Sequence, residues 1–356
     1  MRTVSVSQIN AGDKLAESIN SRFGQVLFYK GRILTERDLE ILRAFLISTV
    51  SIESKSIVSK EEGTATEHSA ATASSSGTSF DQEYDKMLQL LRKVFGLALG
   101  NAELPVLEMR NCLQNLIDAG DYQILSFTPR NYHVRDFLYH DSIMVSLTSY
   151  QLAQWHGLPQ RDWMQIALAG LLHDIGNVKI DPGLLTKPTK LTNTEFEEVR
   201  KHALYGYNLL KPVAALNEGV KLSALQHHER EDGSGYPLGL KNDQIHLYAK
   251  VVAVADIFHA MTNHRHHQEA ISPYLVLEQL SEDSFGRMDP ALVRTFINKV
   301  TSFHTGTVVK LNDNRIGEII FSDRAYPTRP WVNINGTIVN LTLERNLYIQ
   351  DVIQLR

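Results

Sequence analysis

The chain of 356 residues contains a single cysteine, Cys112, which excludes a disulfide framework and a zinc site built from thiolates. It has no uninterrupted run of roughly 18 apolar residues, the length that a membrane helix requires. Its N-terminus lacks the charged-then-apolar pattern of a signal peptide. A formal net charge of -4 supplies no basic field for a nucleic-acid polymer. We therefore expect a cytoplasmic protein that binds neither a membrane nor a nucleic-acid polymer.

Histidine, in contrast, is concentrated in one part of the chain. Of the 14 histidines, 12 lie between His133 and His267. This distribution indicates that the central third of the chain uses imidazole side chains, which serve in proteins as acid-base groups and as metal ligands.

The two ends of the chain have β-rich patterns. Residues 1–53 combine short β-rich stretches with a helix that Thr35 and Asp38 open, which predicts a small α+β regulatory domain. Residues 304–356 contain five stretches of period two, with Asn335-Gly336 as a hairpin turn. These stretches predict a small β-barrel-like or sheet domain.

Between the two ends lie a polar segment and a long helical region. Residues 54–80 are small and polar with almost nothing to bury, so we expect a disordered linker. Residues 81–303 have helical periodicity and predict a mainly α domain with lead-in helices. Its first apolar stripe, within residues 81–118, either packs in the core or forms a homodimer contact.

Polar residues interrupt several of these apolar helices. Asp136 and His140 are four residues apart and share one helix face. The other candidates lie on four further helical segments: His173, Asp174, His202, His227, His228 and Asp256. Adjacent residues such as His173 and Asp174 can face one centre only where the helix is irregular or ends.

Each of these residues alone is weak evidence for a site, but their number is informative. Buried imidazoles and carboxylates on helices designed for burial are costly unless they converge on a cation. Nitrogen and oxygen ligands without sulfur suit iron, manganese or zinc. Two metal ions bridged by a carboxylate such as Asp174 would suit the number of ligands and the displacement at a phosphodiester.

The motifs HDIG, KHALYGYNLL, HHEREDGSGYP and ADIFHAMTNHR occur in this order over roughly residues 130–300. This series resembles the HD-GYP family of bacterial cyclic di-GMP phosphodiesterases within the HD superfamily, and all eleven residues of HHEREDGSGYP agree with the family pattern. The resemblance implies an all-helical HD-type bundle that holds two or three iron or manganese ions. It also implies hydrolysis of cyclic di-GMP to pGpG or GMP by a hydroxide that bridges the metals.

The resemblance assigns roles residue by residue. The metal ligands that it implies are His140, His173, Asp174, His202, His227, His228 and Asp256. Asp136 stands where members of the family with a third metal have the longer Glu, so a third ion stays open.

The resemblance also implies residues beyond the metal ligands. We expect Glu229 to fix the tautomer of a ligand imidazole by hydrogen bonding. Gly235, with Gly233, lets the chain turn so that Tyr236-Pro237 forms a wall for the nucleotide. Arg265 matches the phosphate-binding arginine of the family, and its planar fork suits two phosphate oxygens.

The sequence departs from the family at Asn177, where HDIGK usually supplies a lysine. Lys179 either reaches the same phosphate with its long side chain, or the cation is missing and activity is reduced. A weakened site favours a cyclic di-GMP sensor or interaction module with protein signalling partners. A hydrolase of another cyclic dinucleotide is a further alternative.

The remaining central histidines are expected to lie on the surface or to support the ligands by hydrogen bonds. They are His133, His156, His246, His259, His264, His266 and His267.

Overall fold

The structure is a computed structural model. It describes residues 2–20, 26–35, 38–39, 41–42, 47, 49–53, 79–120, 122–125, 136–263, 271–302 and 305–353. The chain divides into two compact units. One consists of Met1–Ser76 with Phe303–Arg356, and the other is Gly77–Ser302. The predicted linker 54–80 lies outside the described residues, except for its last two residues, which are helical.

The unit Gly77–Ser302 is helical, as predicted. Its described helices are α1 (Ser79–Leu99), α2 (Val106–Asp118), α3 (Phe137–Trp155), α4 (Gln160–Leu172), α5 (Pro182–Leu185), α6 (Asn193–Arg200), α7 (His202–Leu210), α8 (Glu218–Gln226), α9 (Leu247–Thr262), α10 (Pro273–Asp283) and α11 (Pro290–Val300). Short 3-10 helices occur at Ile175–Lys179 and Asn242–Gln244. The mainly α fold class is therefore confirmed.

The apolar stripe of α1 faces the interior of this unit. Tyr84, Leu88, Leu91, Phe95 and Ala98 are all buried in one apolar cluster that also includes residues of α3, α4 and α9. Burying such side chains is favourable by about 1.5–3 kcal/mol each. Core packing thus accounts for the stripe, and the homodimer contact stays a prediction.

Helix α6 begins with a capping box formed by Thr192 and Glu195. The Thr192 hydroxyl accepts a hydrogen bond from the Glu195 backbone N–H at 3.3 Å, and the Glu195 carboxylate accepts one from the Thr192 N–H at 2.8 Å. This reciprocal pair satisfies two backbone donors that a helix start leaves open. It fixes the start of the segment that leads into His202.

Close backbone contacts position the HDIG segment. A Cβ at Gly170 would lie 2.9 Å from the Ser146 Cα, so α4 packs directly against α3 at this point. A Cβ at Gly176 would overlap the His202 carbonyl oxygen at the start of α7. Only glycine permits this approach, which brings the turn after α4 next to α7.

The second unit has two small β pairs in its N-terminal part. Strand β1 (Arg2–Ser5) pairs antiparallel with β4 (Thr49–Ile52), and β2 (Ile19–Asn20) pairs with β3 (Val26–Phe28). Thr35 and Asp38 form the predicted reciprocal cap, because Thr35 N donates to Asp38 Oδ2 at 2.9 Å and Asp38 N donates to Thr35 Oγ1 at 3.3 Å.

The five predicted C-terminal strands form one antiparallel sheet. They are β5 (Val308–Leu311), β6 (Ile316–Phe321), β7 (Trp331–Ile334), β8 (Thr337–Asn340) and β9 (Ile349–Ile353), in the order β8-β7-β6-β5-β9. Asn335 and Gly336 have φ values of 52° and 92° and connect β7 to β8. Positive φ at both positions suits the right-handed twist of a two-residue hairpin.

The prediction of two separate end domains needs correction. Val4, Leu15 and Phe28 from the N-terminal part belong to the same buried cluster as Val308 and Ile353 from the C-terminal sheet. Each end alone has too little apolar surface for its own core, so one shared core is the physically favoured arrangement.

No described helix combines the length and the apolar content that crossing a bilayer would require.

Candidate metal centre

Asp174 lies between two sets of imidazoles. Its Oδ1 is 3.2 Å from His202 Nε2 and 3.7 Å from His227 Nε2, whereas its Oδ2 is 3.7 Å from His173 Nε2. His173 directly follows the last residue of α4, and Asp174 has φ −102° and ψ 11°, outside helical geometry. This irregular turn lets adjacent residues face one centre, as the sequence analysis required.

Three groups of side chains have ligand atoms that all lie within 4.8 Å of one another. The first group is Asp174, His202, His227 and His228. The second is His173, His227 and Asp256, and the third is Asp141, His173 and Asp174. Because Asp174 and His227 each belong to two groups, the groups form one continuous cluster.

Backbone carbonyls fix the orientation of three imidazoles. His173 Nδ1 is 2.7 Å from Gly170 O, His202 Nδ1 is 2.7 Å from Val199 O, and His227 Nδ1 is 2.9 Å from Ser223 O. A carbonyl oxygen can only accept, so each Nδ1 carries a proton, and each Nε2 presents a lone pair to the cluster when the ring is neutral. This is the usual second hydrogen bond of a metal-binding histidine.

The distances between nitrogen atoms fit a cation. His202 Nε2 lies 3.4 Å from His227 Nε2 and 3.1 Å from His228 Nε2. In neutral rings with the proton on Nδ1, the Nε2 lone pairs of His202 and His227 face each other and repel unless a cation lies between them. Two nitrogens bound to one zinc-sized ion at about 2.0–2.1 Å lie roughly 3 Å apart. The residues present therefore fit a metal.

The charges of the cluster shift its titrating groups. Burial alone would raise the pKa of Asp174, but His173, His202 and His227 hold that pKa well below the ordinary carboxyl value. Burial and the neighbouring His227 and His202 hold the pKa of His228 well below that of a free imidazole. Burial also lowers the pKa of His202. Ionised carboxylate and neutral imidazoles are the forms that bind metals.

The GYP segment forms a wall beside the imidazoles. Tyr236 stacks on His228 with ring centroids 4.6 Å apart and an interplanar angle of 28°. The Tyr236-Pro237 peptide is cis. A Cβ at Gly235 would overlap the Glu229 Cα and the Arg230 N, so this glycine is required by close packing. Tyr236 therefore lies beside the centre, and the binding of a nucleotide by Gly235, Tyr236 and Pro237 stays a prediction.

We expected Glu229 to hydrogen bond to a ligand imidazole, but its partners in the described part of the chain are backbone groups. It is buried, and its two carboxylate oxygens accept hydrogen bonds from Leu238 N at 2.7 Å and Leu240 N at 2.9 Å. Glu229 therefore holds the segment that follows Tyr236-Pro237 in place. The sequence could not show this, because the partners are backbone groups about ten residues away.

Lys179 is directed away from the carboxylates. Its ammonium donates to Leu99 O at 2.9 Å and to Asn101 Oδ1 at 3.2 Å, at the C-terminal end of α1. This contact corrects the expectation that Lys179 replaces the family lysine. Asn177 is buried and donates from Nδ2 to Asp174 O at 3.1 Å, so it supports the turn that carries Asp174.

Two predicted ligands on the segment entering α3 have other partners. Asp136 accepts hydrogen bonds from Arg92 Nε at 3.3 Å and from Arg92 Nη2 at 2.8 Å. His140 Nδ1 lies 3.0 Å from Tyr84 Oη, and the two rings stack. Neither belongs to any ligand group found among the described residues. Sequence reasoning instead missed Asp141.

The other histidines have varied surroundings. His259 is buried, and its Nε2 lies 2.7 Å from Thr148 Oγ1 and 3.2 Å from Tyr122 Oη. His156 hydrogen bonds to Thr295, and His246 caps α9 by accepting from Tyr248 N. Arg265 and the histidines 133, 264, 266 and 267 lie outside the described residues.

Comparisons with known proteins agree with this centre. Residues 122–292 match the HD domain family. The chain is 35% identical over 185 residues to the cyclic di-GMP phosphodiesterase PA4108 of Pseudomonas aeruginosa, covering 52% of this chain and 44% of that protein. It is 36% identical over 187 residues to the cyclic di-GMP phosphodiesterase response regulator RpfG of Xanthomonas campestris pv. campestris, covering 50% and 48%.

The chain is also similar to a phosphodiesterase that is named for a different cyclic dinucleotide. The chain is 32% identical over 160 residues to the 3'3'-cGAMP-specific phosphodiesterase 2 of Vibrio cholerae, covering 45% of this chain and 31% of that protein. The chain thus spans less than half the length of each of these three curated relatives.

Proposed function

Because residues 122–292 match the HD domain family, we propose that this chain is a metal-dependent phosphodiesterase that opens cyclic di-GMP. The match to the family and the two cyclic di-GMP phosphodiesterase relatives confirm the resemblance to HD-GYP proteins. The products are pGpG or GMP. One observation carries the proposal: the two oxygens of Asp174 face different imidazoles, which is the arrangement of a carboxylate that bridges two ions.

The ligand groups name the residues that would hold the ions. His202, His227 and His228 with Asp174 would hold one ion, and His173 and Asp256, which are grouped with His227, would contribute to a second. Two adjacent divalent ions supply an activated water at neutral pH and neutralise charge that develops on a phosphodiester. Iron and manganese are the ions that we propose. A third ion lacks support here, because Asp136 is paired with Arg92.

The protein itself contributes orientation. The carbonyl contacts of His173, His202 and His227 keep the lone pairs of Nε2 directed at the cluster. Tyr236 offers a flat face beside His228, and Arg200 places its guanidinium 4.3 Å from the Tyr236 ring centroid. We propose that these two side chains contact the nucleotide, with Arg265 as an additional phosphate ligand.

We propose that the activity is reduced relative to that of HDIGK proteins. Asn177 is neutral and Lys179 is occupied at the end of α1, so no lysine of this segment faces the substrate phosphate. Substitution Asn177→Lys should raise kcat/KM by about tenfold, the value of one hydrogen bond to a charged group. An unchanged kcat/KM in a folded variant would contradict this part of the proposal.

Two alternatives compete with hydrolysis of cyclic di-GMP. The similarity to a 3'3'-cGAMP-specific phosphodiesterase favours hydrolysis of a mixed cyclic dinucleotide as the second candidate. A sensor without catalysis, with protein signalling partners, is less well supported because candidate metal ligands lie on both sides of Asp174. The cytoplasmic location, the bacterial source and the protein partners stay predictions.

The test uses the full chain purified under reducing conditions and supplied with Mn²⁺ or Fe²⁺. Cyclic di-GMP and 3'3'-cGAMP are each incubated with the enzyme, and linear products are separated by chromatography. We expect pGpG or GMP from cyclic di-GMP and loss of at least about 100-fold in rate for Asp174→Asn. Tight binding of cyclic di-GMP by isothermal titration without any product would favour the sensor instead.

A further inference from the structure

Around His173, Asp141 joins the two aspartates that were predicted from the sequence, Asp174 and Asp256. His173 is fully buried, and its Nε2 has no hydrogen-bond partner among the described residues. This nitrogen lies 3.7 Å from Asp174 Oδ2 and 3.8 Å from Asp256 Oδ1. Asp141, which is 1% exposed, completes this environment, because one of its carboxylate oxygens lies within 4.8 Å of a ring nitrogen of His173 and of a ligand atom of Asp174.

Asp141 rather than His140 is the residue of α3 that reaches this cluster. Neighbouring residues on a helix point about 100° apart, so a helix face presents one of the two to a given centre. His140 stacks on Tyr84 at a centroid distance of 5.8 Å and contacts its hydroxyl through Nδ1. The rotation of α3 therefore assigns His140 to the contact with α1 and Asp141 to the contact with His173.

The presence of Asp141 instead of His140 makes the two halves of the centre chemically unequal. One half has three imidazoles, His202, His227 and His228, with the Asp174 carboxylate. The other half has the His173 imidazole with the carboxylates of Asp141 and Asp174. Asp256 Oδ1 lies 3.8 Å from His173 Nε2, in a group that also includes His227. Imidazole ligands suit iron and zinc, whereas carboxylate ligands suit manganese and magnesium.

We propose that Asp141 is a metal ligand and that it gives this centre an oxygen-rich site whose preference for Zn²⁺ over Mn²⁺ is smaller than that of the imidazole-rich site. The inference rests on the metal centre of the proposed function and deepens it. The imidazole-rich site, with Asp174 as the shared carboxylate, retains the preference for iron or zinc.

The experiment measures bound metal directly. The full chain is stripped with a chelator, loaded with Mn²⁺, and its metal content is measured by mass spectrometry. Titration calorimetry with Mn²⁺ and with Zn²⁺ then gives the affinities. We expect two ions per chain for the wild type. For Asp141→Asn we expect one ion per chain and a Kd for Mn²⁺ at the lost site that is raised by at least about 100-fold.

Two further variants test whether the loss of an ion is specific to the Asp141 carboxylate. His140→Asn places an amide near the position of Nδ1, so it preserves a polar partner for Tyr84 and should retain both ions. Asp141→His restores a ligand of another type, so it should bind two ions again, with weaker Mn²⁺ and tighter Zn²⁺ binding than the wild type. Circular dichroism of each metal-free variant checks that the helical unit is folded.

The outcomes separate this inference from the proposed function. If folded Asp141→Asn keeps both ions, or if folded His140→Asn loses one, the assignment of Asp141 is overturned while hydrolysis by the wild type still stands. If folded Asp141→Asn loses both ions, the division into two unequal sites is overturned. A wild-type chain that binds no ion would overturn the proposed function together with the inference.

Discussion

The guanidinium carbon of Arg200 lies 4.3 Å from the centroid of the Tyr236 ring, on a tyrosine that itself stacks on the candidate ligand His228. Arg200 Nη1 donates to Glu197 at 2.6 Å, and the buried Nε has no hydrogen-bond partner within the described part of the chain. A guanidinium has five donors, so this side chain keeps donors for another group. Arg200 therefore supplies a positive charge beside the GYP wall.

This relationship predicts a role for Arg200 in binding the phosphate of the substrate. Arg200→Met should lower kcat/KM by about 10- to 100-fold, because a hydrogen bond to a charged group contributes about 1.5–3 kcal/mol. Metal content should not change, since Arg200 belongs to no ligand group found among the described residues. Steady-state kinetics and metal analysis check both points.

The neighbouring Lys201 provides a matched control. Its ammonium pairs with Glu198, and its side chain is 52% exposed. Lys201→Met removes one positive charge from the same turn and should leave kcat/KM unchanged. Equal losses in the two variants would indicate that only the general charge of the surface matters.

Removing the metal ions should destabilise the chain. Ions that bind the folded state but not the unfolded state stabilise it by about 2.7 kcal/mol for each site when the free ion is at 100 times its Kd. A chelator should therefore lower Tm, and added Mn²⁺ should restore it. Thermal denaturation followed by circular dichroism measures the shift.

Asp174→Asn is the control for this chelator effect. The variant removes the carboxylate shared by two ligand groups, so its Tm should hardly respond to the chelator. A chelator shift in Asp174→Asn as large as that of the wild type would place the stabilising ions elsewhere in the chain.

His259 should make stability depend on pH. Burial lowers its pKa to about 3, whereas an unfolded histidine titrates near 6.5. Between these values the unfolded state binds a proton that the folded state does not, so stability falls as pH decreases. With about 1.4 kcal/mol per pH unit, His259 should cost roughly 2 kcal/mol between pH 6.5 and pH 5.

The measurement compares wild type with His259→Gln by urea denaturation at pH 7 and pH 5. A chelator is present in both cases, so that metal release does not contribute. The variant cannot take up this proton, and its free energy of unfolding should decrease less between the two pH values. Identical decreases in both proteins would exclude His259 as a source of the pH dependence.

Lys179 should contribute to stability rather than to catalysis. Its ammonium contacts the carbonyl of Leu99 at the C-terminus of α1, where a cation is favourable by about 0.3–1 kcal/mol. Lys179→Met should lower the free energy of unfolding by about this amount and leave kcat/KM unchanged. A large loss of kcat/KM without a change in metal content would restore the interpretation that Lys179 contacts substrate.

Local patterns in the sequence were sufficient to predict many features of the fold. The caps at Thr35 and Thr192 and the Asn335-Gly336 hairpin depend on residues a few positions apart, so their chemistry is readable from the sequence alone. The same holds for the change from helical period to period two after the helical unit.

Six polar residues of the centre were also evident from the sequence, because each interrupts an apolar helix or its end: His173, Asp174, His202, His227, His228 and Asp256. Buried polar groups in such positions need a common partner, and that requirement does not depend on the details of packing. The existence of a cluster was therefore determined by the sequence, although its membership was not.

Only the tertiary structure decided which of two neighbouring polar residues enters the cluster. His140 and Asp141 are both compatible with the sequence, and the rotation of α3 against α1 and α4 selects Asp141. The same applies to Lys179 and Glu229, whose long side chains find partners far along the chain or on the backbone. Side-chain direction depends on how whole elements pack, and such contacts leave no periodic pattern in the sequence.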